Sequence, residues 1–376
     1  MYKYTLLPSF LLTIILLAGF SSCSDRNRSK TEGDSQEQVA GNGHQTFADL
    51  DYINGFPKEL KVTASPDERF DMVGTYTFFL EDTVLFVSKS RTSDLIYAFN
   101  KDNGRLIGSF LKNGNGPGEL LSTPALSISS FRKDGGNLIF SFFDDKGHVL
   151  DVDFSESLRK GRAVIKGSED LAGNEVMHCI KLADGSGTYI TTLKPNLTGI
   201  QRYISRNGEE VNIPFMEELN KNSIKGGDGF LFNLVGVHAN CNLRLNRMVE
   251  AFIYLNTIHL YDVDGPFSRS LSFDKKLSDT EVLEQNGVMK MKKINYCLMV
   301  YRDFFAVLHE DSGNKFVCLF DWDGKPLARI LVDPEIEYFD IDVKDGQLFG
   351  FCNEDETLRI YDIKQLGSLV YLQGRF

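Results

Sequence analysis

The chain has 376 residues, 42% hydrophobic, 12% aromatic and 25% charged, a balance that excludes a disordered chain, a collagen and a multi-span membrane protein. Its 41 Lys and Arg face 52 Asp and Glu, a formal charge of −11, so its field repels phosphate backbones and anionic lipid heads, and nucleic acid is not an expected partner. Twenty-nine Phe, 14 Tyr and 33 Gly beside a single Trp describe strand formers and turns.

Residues 1–22 carry one positive charge, Lys3, and an apolar stretch from Leu6 to Phe20 that contains Pro8. The stretch is shorter than the roughly 20 residues a spanning helix needs, and it reads as an export signal. The step Phe20-Ser21-Ser22-Cys23 resembles a bacterial lipobox, with Phe20 where Leu, Ile or Val is usual. That resemblance implies that Cys23 is diacylated and becomes the new N-terminus. Residues 23–45 then form a tether, because Ser24 to Gln45 holds one aliphatic residue larger than Ala, Val39, and cannot bury enough surface to fold. A flexible coil of about 22 residues reaches roughly 25 Å. Removing the signal leaves 40 basic against 52 acidic residues, a charge of −12, so the expected body touches a membrane only through its lipid. The expected location is the cell envelope, as an outer-membrane lipoprotein facing either side.

Residues 46–376 are predicted to be all-β. Short alternating or apolar runs recur between turn signals, and no long helix-period segment interrupts them. The first unit has strands in 72–82, 84–90, 95–100 and 105–111, and the second, looser unit in 125–136, 137–147, 148–154 and 162–167. Further units begin at about 176, 239, 294 and 336. The turn after each first strand falls near Asp82, Asp134, Asp184, Asn246, Asp303 and Asp345, a spacing suited to four-stranded blades. The expected fold is a six-bladed β-propeller of four-stranded antiparallel blades, its ring closed by an N-terminal strand. Lys58 to Ala64 is the predicted closing strand, an outer strand for blade six, with the C-terminal run from Ser368 as the rival. One plausible helical insertion, Lys275 to Lys293, lies between blades four and five.

The loop Lys112-Asn113-Gly114-Asn115-Gly116-Pro117-Gly118-Glu119 is the most distinctive stretch of the body. It is not a phosphate loop, since no Gly-Lys-Ser/Thr opens a helix there. Its GNGPGE core between the first two blades, with the lipoprotein signal, the tether and six degenerate blades, resembles the TolB-like six-bladed propeller lipoproteins of the Bacteroidetes. The resemblance covers residue 46 to the end and matches at Gly114, Gly116, Pro117, Gly118 and Glu119. It implies fold and location but no catalytic residues.

No catalytic signature appears, and no metal site or cofactor is expected. The turns Asp262-Val263-Asp264-Gly265 and Asp321-Trp322-Asp323-Gly324 have Gly fourth where a calcium loop has it sixth, and read as hairpin turns. Cys179, Cys241, Cys297, Cys318 and Cys352 sit in apolar surroundings and read as buried free thiols, with a disulfide pair left open. The candidate ligand-binding residues are Arg91, Asn115, Glu119, His178, His238, His309 and Glu310; blade topology places the three histidines on one face near the channel mouth, with Glu310 adjacent, and the glycine loop on the propeller face where ligands usually sit. The expected function is a monomeric binding module for an envelope protein, a peptide or a glycan. The alternative is a carbohydrate-active hydrolase or lyase on the same face.

Overall fold

The computed structural model describes residues 50–116, 118–127, 129–143, 148–171, 176–182, 187–193, 200–211, 236–242, 244–273 and 293–369. Cys23, the tether and most of the predicted helical insertion lie outside the described residues. Two short strands, β1 (Leu50–Tyr52) and β2 (Glu59–Lys61), precede the blades. Blade one is β3 (Thr75–Glu81), β4 (Val84–Lys89), β5 (Asp94–Asn100) and β6 (Leu106–Lys112). Blade two is β7 (Ser130–Asp134), β8 (Asn137–Phe143), β9 (His148–Asp153) and β10 (Ile165–Asp170), and helix α1 (Phe154–Lys160) lies between its last two strands. Blade three is β11 (Val176–Lys181), β12 (Thr188–Leu193), β13 (Ile200–Arg206) and β14 (Glu209–Val211). Blade four is β15 (Val237–Asn242), β16 (Arg247–Phe252), β17 (Thr257–Asp262) and β18 (Ser268–Ser272). Blade five is β19 (Asn295–Val300), β20 (Phe304–Asp311), β21 (Asn314–Asp321) and β22 (Pro326–Val332). Blade six is β23 (Ile336–Asp342), β24 (Gln347–Cys352) and β25 (Thr357–Asp362). Within each blade, strands pair antiparallel in chain order. The fold is the six-bladed propeller that the repeats predict.

The first strand of each blade is innermost, with β7, β11, β15, β19, β23 and β3 following one another around the channel. Blades press face to face, so central strands are buried on both sides and read as continuous apolar runs rather than alternating ones. Residues 304–308 of β20 are all buried. At the junction of blades one and two, Phe154 packs 4.4 Å from Phe140 and 5.0 Å from Phe110, centroid to centroid. Hydrogen bonds from inner-strand side chains tie the ring together. Leu126 N–H donates to Thr77 Oγ1 (2.7 Å), Lys181 N–H to Ser130 Oγ (3.2 Å), Tyr301 O–H to Asp340 Oδ1 (2.8 Å) and Leu80 N–H to Asp340 Oδ2 (2.7 Å).

Helix α1 escapes the sequence reading because two turns are too short to show a period. Its ends are nevertheless well specified. Asp153 accepts the Glu156 N–H (2.7 Å), and Gly161 takes the left-handed C-cap at φ 62°.

The ring closes through the N-terminal arm, but not with the residues expected. Pro66 bridges Arg359, and Asp67 N–H donates to Leu358 O (2.7 Å), which places the arm against β25 of blade six. The stretch from Lys58, predicted to be the outer strand there, instead lies one blade earlier. β2 pairs parallel with β22 as a fifth strand of blade five, and β1 pairs parallel with β18 of blade four. Packing decides this: Phe56 meets Phe320 of blade five edge to face at 5.5 Å, while Pro66, lacking an N–H, cannot extend a ladder along β25. Lys58 Nζ donates to Leu366 O (2.8 Å), so the arm meets the C-terminal part of the chain. Most of the rival C-terminal run, 370–376, lies outside the described residues. The five cysteines of the body are all buried and free.

Candidate binding site on the upper face

The upper face is taken as the one on which each inner strand begins. All seven candidate residues belong to it by topology, yet they divide into three groups.

Arg91 lies between β4 and β5, exposed, with φ 61°. Asn115 is exposed in the glycine loop. Glu119 turns back into that loop, where its Oε2 accepts the Gly116 N–H at 2.8 Å, and a Cβ at Gly114 would collide with the same carboxylate. The glycines are therefore needed to admit a carboxylate that staples the loop. Glu119 also borders a cavity of about 550 Å³ with Lys112, Lys160 and Arg162.

His178 and His238 hold blades together. His178 Nε2 lies 3.1 Å from both the Ala239 N–H and the Val237 carbonyl oxygen, which ties β11 to β15. His238 lies against the Asn295 main chain at the next junction, and burial together with His178 pushes it down to about 3. Burial also lowers His178.

His309 and Glu310 come together in a cleft of about 500 Å³ at the junction of blades four and five, within the size range of small-ligand sites. The arm supplies Ile53 and Phe56, blade four Asn256 and Phe273, and blade five the remaining walls, including Lys293, Asp311 and Arg329. The His309 ring stacks on Phe273 with centroids 3.7 Å apart. Its Nδ1 bonds Asn295 Oδ1 (2.9 Å), and the Asn295 amide nitrogen donates to Phe252 O (2.5 Å) and Leu255 O (3.1 Å). The amide orientation puts the proton on Nδ1 and leaves Nε2 as an acceptor. Burial lowers His309 to about 4, so the ring is neutral at neutral pH. Tyr296 O–H donates to Glu310 Oε2 (2.6 Å), and Arg329 pairs with Glu59 (2.7 Å) while covering the Phe316 ring at 4.5 Å.

Sequence reasoning missed a set of bulged positions on the inner strands. The inner strands of blades one, three, five and six each slip register near their start, skipping Tyr76, Met177, Tyr296 and Glu337. A bulge re-aims the skipped side chain, which applies here to Tyr76, Tyr296 and Glu337. Tyr76 is 42% exposed. Asn353 Nδ2 donates to Glu337 Oε2 (2.7 Å), and Lys315 Nζ lies over the Tyr296 ring at 3.8 Å while donating to Ile336 O (2.8 Å). Burial and then the Glu310 bond raise the Tyr296 phenol, with Glu337 acting in the same sense. Burial lowers Lys315, which both carboxylates oppose.

The two Asp-rich turns lie on the opposite face as hairpin turns. Asp321 Oδ1 accepts the Asp323 and Lys325 N–H groups (3.0 and 2.8 Å), and Arg247 links the two turns by ion pairs to Asp262 (2.6 Å) and Asp323 (2.8 Å).

No family model and no curated protein matches the chain. Among solved structures, a member of the DUF4221 family from Bacteroides vulgatus aligns at 13% identity and TM-score 0.46, over 80% of this chain and 97% of that one. Hydrazine synthase of Kuenenia stuttgartiensis aligns at 14% and 0.42, over 86% and 84%. Chaetomium thermophilum Raptor aligns at 14% and 0.42, over 83% of this chain and 28% of that one. Propeller and site alike rest on this chain's own strand pairing and side chains.

Proposed function

We propose that the chain is a cell-envelope lipoprotein of the TolB-like propeller kind, anchored through Cys23, whose upper face is a binding module with the blade four–five cleft as its ligand site. The cleft itself carries this reading. A concavity of about 500 Å³ gathers aromatic walls, two carboxylates, two cations and a neutral histidine from three separate chain segments, which is the composition of a recognition site. Anchoring rests on the lipobox-like step before Cys23 and on a polar tether.

Two measurements test it. A thermal-shift screen of small polar compounds on the wild type and on Asn256→Trp, which puts an indole into the cleft, should find ligands that stabilise only the wild type. Hits that stabilise both equally would remove the cleft from the proposal. Cys23→Ser should move the protein from the membrane to the soluble fraction, and unchanged partitioning would remove the anchor. The enzyme reading draws on Glu310 and Glu337, two carboxylates acting on one phenol. Turnover of a glycan that disappears in Glu310→Gln would replace binding with catalysis.

A further inference from the structure

The chemistry of the cleft narrows its ligand, on the reading that it is a binding site. Its lining sets two carboxylates, Glu310 and Asp311, beside two cations, Lys293 and Arg329, and most of them are engaged. Arg329 is paired with Glu59, Glu310 accepts from Tyr296, and Asp311 Oδ1 accepts from Ser312 Oγ (2.9 Å). An anionic ligand would meet Glu310 and Asp311, and a cationic one Lys293 and Arg329. Unpaired ligand charge is disfavoured on either count. His309 is different, being 4% exposed, lining the cleft, and committed at Nδ1 only; among the described residues nothing bonds its Nε2. An acceptor that no described protein group engages is open to a donor from a ligand. Phe56 and Phe316 add apolar wall beside these polar groups.

We propose that this cleft binds a neutral saccharide of one or two rings, with His309 Nε2 accepting a hydrogen bond from a ring hydroxyl. Hydroxyls both donate and accept, so one ring can give a proton to His309 and the carboxylates and receive one from Lys293 or Arg329. Its C–H faces suit the aromatic walls. No net charge is brought in among these four charged groups.

The test is calorimetry and saturation-transfer NMR on the full chain with galactose, N-acetylglucosamine, maltose and cellobiose, and with citrate and arginine as charged probes. At least one neutral saccharide binds the wild type more tightly than either charged probe. His309→Phe, which keeps the ring stack and removes Nε2 together with the Nδ1 bond to Asn295, weakens it at least tenfold. Asp311→Lys changes an exposed residue, so folding is not at issue; it weakens saccharide binding and brings citrate binding in. The proposal is overturned if no neutral saccharide binds, or if saccharide affinity is unchanged in both variants. It is also overturned if citrate or arginine binds the wild type more tightly than every saccharide. In this last case, weakening of the charged probe by His309→Phe leaves the cleft as a binding site and removes only the saccharide class.

Discussion

The least expected residues are buried and polar. Glu250 and Arg202 are almost fully buried between blades three and four, bonded at 2.8 Å, with Tyr261 O–H donating to the same carboxylate at 2.8 Å and Tyr189 completing the group. Although burial opposes it, Arg202 holds the Glu250 carboxyl down to about 2. Burial holds His238, His259 and His309 at about 3 to 4. An unfolded histidine takes up its proton near 6.5 and these native ones do not, so between pH 6.5 and about 4 the unfolded chain binds more protons and stability falls as pH falls. Glu250 adds a second loss below about pH 4.5, complete near 2. Calorimetric melts should show Tm falling steeply from pH 6.5 to 4, less steeply in His259→Gln; a flat profile would contradict the buried neutral histidines. In the glycine loop, Gly114→Ala should displace Glu119 from its bond to Gly116 and cost about 1 kcal/mol. Adding it to Glu119→Ala should cost much less, since the carboxylate is already gone. Additive denaturation free energies would show that the staple is not the reason for the glycine. The motif was legible in the sequence, whereas its purpose lies in a side-chain bond that composition does not display.

Among the elements, the arm departs most from expectation. β1 and β2 have three residues each, too few to fold alone, yet they cover the outer edges of blades four and five and bring Ile53 and Phe56 to the cleft. Deleting residues 50–61 should expose the edges of β18 and β22 and lower Tm much more than deleting 370–376. Phe56→Ala alone should cost about 2 kcal/mol, less than a fully buried Phe because it is only partly covered. Equal losses from the two deletions would show that covering these two edges contributes no more than the C-terminal run. The alternation in Glu59-Leu60-Lys61 identified a strand correctly. Which blade receives it depends on where Phe320 waits, a long-range fact that local alternation does not carry. The bulges at Tyr76, Tyr296 and Glu337 were hidden for a related reason: one extra residue looks like noise in a single strand and becomes a pattern only when pairing partners are known.

At the scale of the whole molecule, stability is a property of the ring. Asp340 joins blade five to blade six through Tyr301 and blade six to blade one through Leu80, and Lys101 adds ion pairs to Asp342 and to Asp345 (2.6 Å) across the same closure. Asp340→Ala leaves a buried hydroxyl and a buried N–H without their acceptor and should cost about 3 kcal/mol. Urea denaturation would check this, and a loss below about 1 kcal/mol would show that neither junction depends on it.

By itself, the sequence determined that the body is a ring of six small sheets, because turn residues and apolar runs are local and recur at blade length. It also pointed to the upper face, since blade topology follows from strand order. Only the tertiary structure decided which upper-face residues meet. His178 and His238 are spent on blade junctions, Glu119 on its own loop, and His309 and Glu310 share a cleft whose other walls come from the arm and from blade four. Those walls lie 200 residues or more apart in the chain, and such convergence is fixed by which blades press together, a fact no local pattern records.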